Sequence, residues 1–324
     1  MNSIIPKTPR CSRNVANVSG AVLTNTGQIK LDVNKDFLTA EHLINVAVSQ
    51  NFTGVPTASD VRRFFSKIEF VTDQGTSVSC DFHQFYDAMR FTDEASAPAV
   101  VLAAASKANF SIALHHANHD SLLDMLTALD TKDFSTLSII LTVSPDDKNG
   151  FIGGTVPLAA AYQVSVDSIE FPGMTGVAPF GKARHNLKQM KEVSSASAAV
   201  TQEEVVLKTG GRTRFIVLHS YDTTGAIPTL ANGIIDKVNL AFGGVTYLKN
   251  KDFKAIQQEN VAKRNFNQVG VAIIDFGKNP KGWLPMENVN EVKLEYSTLG
   301  TKPAGWKVTV AQDWTEGLAA LKAV

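Results

Sequence analysis

The residues closest to a reactive constellation lie in one short run, His115, His116, His119 and Asp120, within HHANHD. Three imidazoles and a carboxylate this close together form the donor set of a zinc or other divalent-metal site. Side chains alternate along a strand, so His115 and His116 would face opposite ways if the preceding strand ran through them. Asp120 also stands where a helix opening at Ser121-Leu122-Leu123 needs its N-cap. A strand end followed by a helix cap is the preferred reading, and no metal or other cofactor is assigned. Asp146 and Asp147, ahead of Lys148-Asn149-Gly150, match no EF-hand spacing and read as an acidic turn. The chain holds no G-x-S-x-G elbow, no G-x-x-x-x-G-K-[ST] and no G-x-G-x-x-G after a strand. No catalytic residue is assigned, and a non-enzymatic role is expected.

Two basic stretches remain. Lys7, Arg10 and Arg13 precede the first acidic residue, Asp32. Lys182, Arg184, Lys188 and Lys191, with His185 among them, lie between Glu170 and Glu192. Either suits contact with anionic lipid head groups or with a neighbouring subunit, at modest energies that fall with salt.

The elements that must position these residues are mostly strands. Phe110, Ile112 and Leu114 alternate with small or polar residues, and so do Leu137, Ile139, Leu141 and Val143. Val292, Leu294 and Tyr296 repeat the pattern, as do Trp306, Val308 and Val310. Period-two alternation places the apolar set on one face of a sheet. The segment 39–48 (TAEHLINVAV) fits a strand or a short helix. The stretch from Pro172 to Ala199, rich in Gly, Ser and Ala, reads as loop or linker. Charged residues make up 19% of the chain, below the usual value of about 25%, which suits a surface covered by neighbours. Formal net charge is zero, so no global charge marks a nucleic-acid binder. Cys11 and Cys80 form no C-x-x-C pair, which points to a reducing compartment. The N-terminus lacks the apolar core of a secretory signal, and the apolar run Ala97 to Ala105 is too short to span a bilayer.

A repeat organises these strands. Lys67-Ile68-Glu69-Phe70-Val71 forms a strand, Asp73-Gln74-Gly75 a turn and Thr76 to Cys80 a returning strand, after which Asp81-Phe82 opens a helix. About 170 residues later, Lys237-Val238-Asn239-Leu240-Ala241, Gly243-Gly244 and Val245 to Leu248 repeat that order, and Asp252-Phe253 opens the second helix. From Lys67 to Phe82 is 15 positions, and from Lys237 to Phe253 is 16. Ile29-Lys30-Leu31 and Leu43 to Val48 precede the first unit as Val205-Val206-Leu207 and Phe215 to Leu218 precede the second.

These paired units, SKIEFVTDQGTSVSCDFHQFYDAM and DKVNLAFGGVTYLKNKDFKAIQQEN, resemble the double jelly-roll major capsid proteins of tailless icosahedral viruses. That lineage joins adenovirus hexon with membrane-containing bacteriophages. The later strands ANFSIALHH, STLSIILTVS, VGVAIIDF, NEVKLEYS and WKVTVAQDW carry the likeness over most of residues 27–314. The resemblance implies an all-β chain with short helices, folded as two tandem eight-stranded jelly-roll sandwiches. The expected division is an arm (1–26), a first jelly roll (27–171), a linker (172–202), a second jelly roll (203–316) and a tail (317–324). It also implies a virion protein made in a host cytoplasm and assembled as pseudo-hexagonal homotrimers. Its expected partners are itself, neighbouring capsomers, penton or vertex and minor capsid proteins, and the surface of an internal lipid membrane. No sequence-specific nucleic-acid contact is implied. The alternative reading is a two-sandwich glycan-acting hydrolase or amidase, or a carbohydrate-binding module. A binding module would need Trp283, Trp306 and Trp314 as an exposed platform, whereas their strand settings suit burial.

Overall fold

The computed structural model describes residues 11–20, 27–49, 62–93, 100–104, 107–117, 127–144, 161–176, 181–195, 202–225, 228–277 and 283–317. In chain order the first strands are β1 (Cys11–Gly20), β2 (Gln28–Asp32), β3 (Leu38–Ser49), β4 (Phe65–Thr72) and β5 (Gly75–Asp81). Helix α1 (Phe82–Asp93) follows, then β6 (Val100–Ala104), β7 (Lys107–His115), β8 (Leu129–Asp130), β9 (Leu137–Val143) and β10 (Ala161–Phe171). The second half opens with β11 (Arg184–Ser194), β12 (Gln202–Val206), β13 (Arg212–Asp222), β14 (Thr229–Leu230), β15 (Ile235–Phe242) and β16 (Val245–Asp252). It closes with α2 (Phe253–Arg264), β17 (Val271–Asp275), β18 (Leu284–Pro285), β19 (Val292–Thr298) and β20 (Trp306–Glu316).

Each half is a sandwich of two four-stranded layers in one shared order. In the first, β1-β10-β3-β7 faces β2-β9-β4-β5, with β6 and β8 added at the margin. In the second, β11-β20-β13-β17 faces β12-β19-β15-β16. Two four-stranded antiparallel layers closed by long-range pairings are the jelly-roll arrangement, so the expected fold class is what the chain builds. Segment 39–48 lies in β3, paired on both sides, and it buries Ile44, Val46 and Val48 in the first core.

The duplication extends to irregularities. β1 breaks register between Asn14 and Ala16, and β11 breaks it between Gln189 and Lys191. The third strand of each half skips one residue, Ala40 in β3 and Arg214 in β13. Ser77 in β5 and Tyr247 in β16 are likewise left out of their hairpin ladders. The one-residue difference in spacing between the paired units is a further bulge, where Lys249 and Asn250 together oppose Asn239. Asn250 takes φ 47 there, a left-handed conformation that asparagine tolerates, and its amide donates to Asn239 Oδ1 at 2.6 Å.

These bulges correct two expectations. Residues 184–194, read as part of a linker, form β11, and residues 11–20, read as arm, form β1. A bulge inserts an unpaired residue and shifts all later side chains to the other face. The apolar residues of β11 therefore fall at Leu187, Met190 and Val193, and those of β1 at Val15 and Val18. A spacing of three hides a strand from a period-two reading.

Candidate functional site

The two halves join where α1 and β5 of the first meet the sheet of the second. β5 and β11 run parallel, with Val78 opposite Leu187 and Ser79 opposite Lys188, and this fuses the layers into one ten-stranded sheet. Phe91 of α1 packs edge-on against Phe215 and Phe266, with ring centroids 5.7 and 5.6 Å apart. The first core consequently contains residues of the second half, among them Leu187, Phe215, Val217, Val271, Ile273 and Ala311. Their chain neighbours Ile216, Leu218, Ala272, Ile274 and Val310 point into the second core.

One buried carboxylate bridges this joint, and a second lies beside it within the second half. Asp87 of α1 is fully buried; it pairs with Arg62, accepts from His219 of β13 at 2.7 Å and has Arg90 at 3.8 Å. Burial alone would raise its pKa, but Arg62, His219 and Arg90 together hold it below the ordinary carboxylate value. Asp313 of β20 is equally buried and accepts from Arg214 at 2.7 and 3.1 Å and from His185 at 2.7 Å. Here too burial pushes upward, while Arg214 and His185 outweigh it and lower the pKa. Arg214 is the bulged residue of β13, so an irregularity common to both halves supplies a buried ion-pair residue in one of them.

A His–Asp pair at 2.7 Å has the form of a catalytic dyad. In both pairs, however, the far ring nitrogen, Nδ1 of His185 and of His219, is buried and has no hydrogen-bond partner. Among the described residues no hydroxyl or thiol is hydrogen-bonded to either Nδ1. A buried charge paired on two sides is costly to separate, so Asp87, held by Arg62 of the first half and His219 of the second, resists separation of the halves, whereas the Asp313 set ties β11, β13 and β20 of the second half to one another.

The structure disperses the metal candidates. His115 ends β7 between Glu41 at 3.2 Å and Asp93 at 2.6 Å. His116 turns toward the joint, 2.8 Å from His42 and with its ring centroid 6.5 Å from that of His185. His119 and Asp120 lie outside the described residues, and among the described residues no group of three or more potential ligands forms a metal site. Sequence reading missed Asp87, His219, Asp313 and Arg214. The available signal was a charged residue inside each otherwise apolar run, in QFYDAM, RFIVLHS and VAQDW.

The basic candidates are engaged within the chain. Arg13 binds Glu170 at 2.9 Å and Asp36 at 2.7 Å. Lys182 and Arg184 share Asp133 at 3.3 and 3.0 Å. Lys188 lies over the Trp314 ring, 5.8 Å from its centroid, and Lys191 binds Glu203 at 2.6 Å. Arg184, Lys188 and Lys208 line a cleft of about 510 Å³ between the halves, together with Trp314 and Glu316. Lys7 and Arg10 lie outside the described residues.

No family model matches the chain, and no curated protein does. Solved structures do. A crystal structure of the STIV MCP superposes with a TM-score of 0.69 at 12% identity, over 98% of this chain and 99% of that one. A chain from the atomic structure of Sulfolobus turreted icosahedral virus gives 0.70 at 13%, covering 97% and 93%. The major capsid protein P2 of bacteriophage PM2 gives 0.62 at 10%, covering 95% and 97%. The fold is that of viral major capsid proteins. It spans essentially the whole chain, both sandwiches and the joint included.

The joint supports two expected outcomes. Asp87→Ala leaves Arg62 and His219 buried without their anion and should cost about 3–5 kcal/mol in denaturant unfolding, with Asp87→Asn less damaging. The second outcome concerns pH. Burial holds His42 down to a pKa of about 4 and drives its neighbour His116 down as well, whereas an unfolded imidazole titrates near 6.5. The unfolded chain then binds more protons, so stability should fall as pH drops from about 6.5 toward 4. His115 runs the other way. Burial opposes its charge, but Asp93 and Glu41 outweigh it and hold the pKa up at about 9. Its contribution is present below about 6.5 and fades as pH rises through 9. Melting temperatures across this range should decline less steeply on the acid side in His42→Leu than in the wild type; equal slopes would contradict the assignment.

Proposed function

We propose that this chain is a structural major capsid protein whose homotrimers tile the icosahedral shell of a tailless virus. The observation that carries the reading is the likeness of both sandwiches and their joint to solved capsid proteins, over 95–98% of the chain. The joint supports it independently. Its ionisable groups are buried and mutually paired, which suits a rigid assembly unit and leaves no accessible nucleophile on its His–Asp pairs. On this reading the two rolls begin at Cys11 and Arg184, the first strand of each sandwich.

The mechanism is assembly. Two copies of one sandwich per chain give a trimer six similar sectors, so near-equivalent contacts can tile a hexagonal lattice. The protein acts in the virion after synthesis in a host cytoplasm. Its partners are further copies of itself, penton or vertex and minor capsid proteins, and the surface of an internal membrane. Lys182, with its side chain 59% exposed, is the described basic candidate best placed for lipid or neighbour contact; Lys7 and Arg10 belong to the same class by sequence. The carbohydrate-binding reading gains no support, because Trp283, Trp306 and Trp314 are all buried and build no platform.

Purified protein should scatter light as a stable species near three times 34.9 kDa, and electron microscopy of its native source should show icosahedral particles. A strict monomer at micromolar concentration, or a source without particles, would overturn the reading.

A further inference from the structure

The ten-stranded sheet that fuses the halves is joined at one narrow place. β5 and β11 run parallel but pair only at Val78–Leu187 and Ser79–Lys188. Toward their N-terminal ends the two strands part. The cleft of about 510 Å³ opens there, between Gly75, Thr76 and Ser77 on one side and Arg184, His185 and Asn186 on the other. β4 pairs with the far side of β5, and β20 with the far side of β11. Among the described strands no ladder covers the two facing edges, which leaves main-chain donors along both walls.

Positive charge collects at this opening, although the chain as a whole is neutral. Arg184, Lys188 and Lys208 line the cleft, and Glu316 is the one carboxylate that does. Glu316 accepts from the Trp314 indole at 3.0 Å. Asp133 serves Arg184 and Lys182 together. Among the described residues Lys188 and Lys208 enter no ion pair; Lys188 lies over the Trp314 ring, and Lys208 is exposed. Two ammonium groups therefore border the cleft without a counter-charge of their own. A buried imidazole adds an independent observation. His185 lines the cleft and is 6% exposed. Its Nε2 is bound to Asp313 at 2.7 Å, and its Nδ1 has no hydrogen-bond partner. A buried polar atom is rarely left in that condition.

We propose that this cleft binds a small phosphate-bearing anion, held by Lys188, Lys208, Arg184 and the strand-edge amides of β5 and β11. Several cations and N–H donors converge here, and a phosphate group offers more acceptor oxygens than a carboxylate. Hydrogen phosphate both donates and accepts, so it can satisfy Nδ1 of His185 in either protonation state of the ring. The volume falls within the range of organic ligand sites, about 300–1,000 Å³. Phe134 and Trp314 supply an apolar wall, so the site suits a phosphoester or diphosphate better than the bare ion. A free diphosphate and a phospholipid head group share this chemistry. The bound anion would touch both halves where their common sheet is narrowest, and so would stabilise the joint. The cleft is built within one chain, and the proposal does not rest on the capsid reading.

The test is isothermal titration calorimetry of the full chain with pyrophosphate at low ionic strength. Co-sedimentation with phosphatidylcholine vesicles, with and without phosphatidate, runs beside it. Wild type should bind one pyrophosphate per chain and melt at a higher temperature in its presence. K188Q/K208Q should bind about tenfold more weakly, with an unchanged melting temperature when no ligand is added, since neither lysine holds an ion pair. K249Q/K254Q removes the same charge from exposed positions of β16 and α2, outside the cleft, and should bind as wild type does. Binding to phosphatidate vesicles alone, lost in K188Q/K208Q, would support the site and assign it to a head-group phosphate. Binding of neither probe, or binding that K188Q/K208Q leaves unchanged, would overturn the proposal and leave the capsid reading intact.

Discussion

β13 is buried on both faces, and the rest of the architecture follows from that constraint. Nine of its eleven residues are inaccessible, with Phe215 and Val217 in the first core and Ile216 and Leu218 in the second. A strand in this position cannot be solvated on either side, so neither sandwich is complete without the other. β17 and β20 share the condition, with Ile273 and Ala311 pointing one way and Ile274 and Val310 the other. Two domains built this way form a rigid pair, unlike the polar interfaces that permit domain motion.

Apolar packing alone would fix the distance between the halves more firmly than their angle. Asp87 adds direction, because its carboxylate must meet Arg62 of the first half and His219 of the second in defined geometry. Breaking such a buried set is expensive even where forming it contributes little net stability. For a protein that must repeat one shape many times over a shell, geometric uniformity is worth more than a larger stability margin.

Duplication also explains why the halves differ in polarity. Faces that meet within the chain are always covered and can be apolar or buried-ionic, as Leu187 and His219 are. By alignment of the shared bulges their counterparts are Ser12, which is exposed, and Asn45, which is half-buried and donates to Asp167 at 2.8 Å. An open strand edge that is polar is less prone to indiscriminate pairing. Loss of the asymmetry in either direction would produce a sticky monomer or a loose joint.

The sequence by itself determined the strand-rich class, the hairpin–helix repeat and its half-chain offset. Those features are local: Phe70, Leu240 and their neighbours alternate because each strand presents one face to its own core. It also contained β13 as the unbroken run RFIVL, whose lack of alternation reflects burial on two sides. It did not reveal β1 and β11, because a bulge in each replaces period two with a spacing of three. The joint was likewise out of reach. Asp87 and His219 are 132 residues apart, and His185 and Asp313 are 128 apart, so no local pattern relates them. Strand alternation already set His115 and His116 on opposite faces, and only the tertiary structure decided their partners, Asp93 for His115 and His42 for His116. The physical reason is that a buried polar side chain goes wherever a partner exists, and the fold, not the neighbouring sequence, supplies that partner.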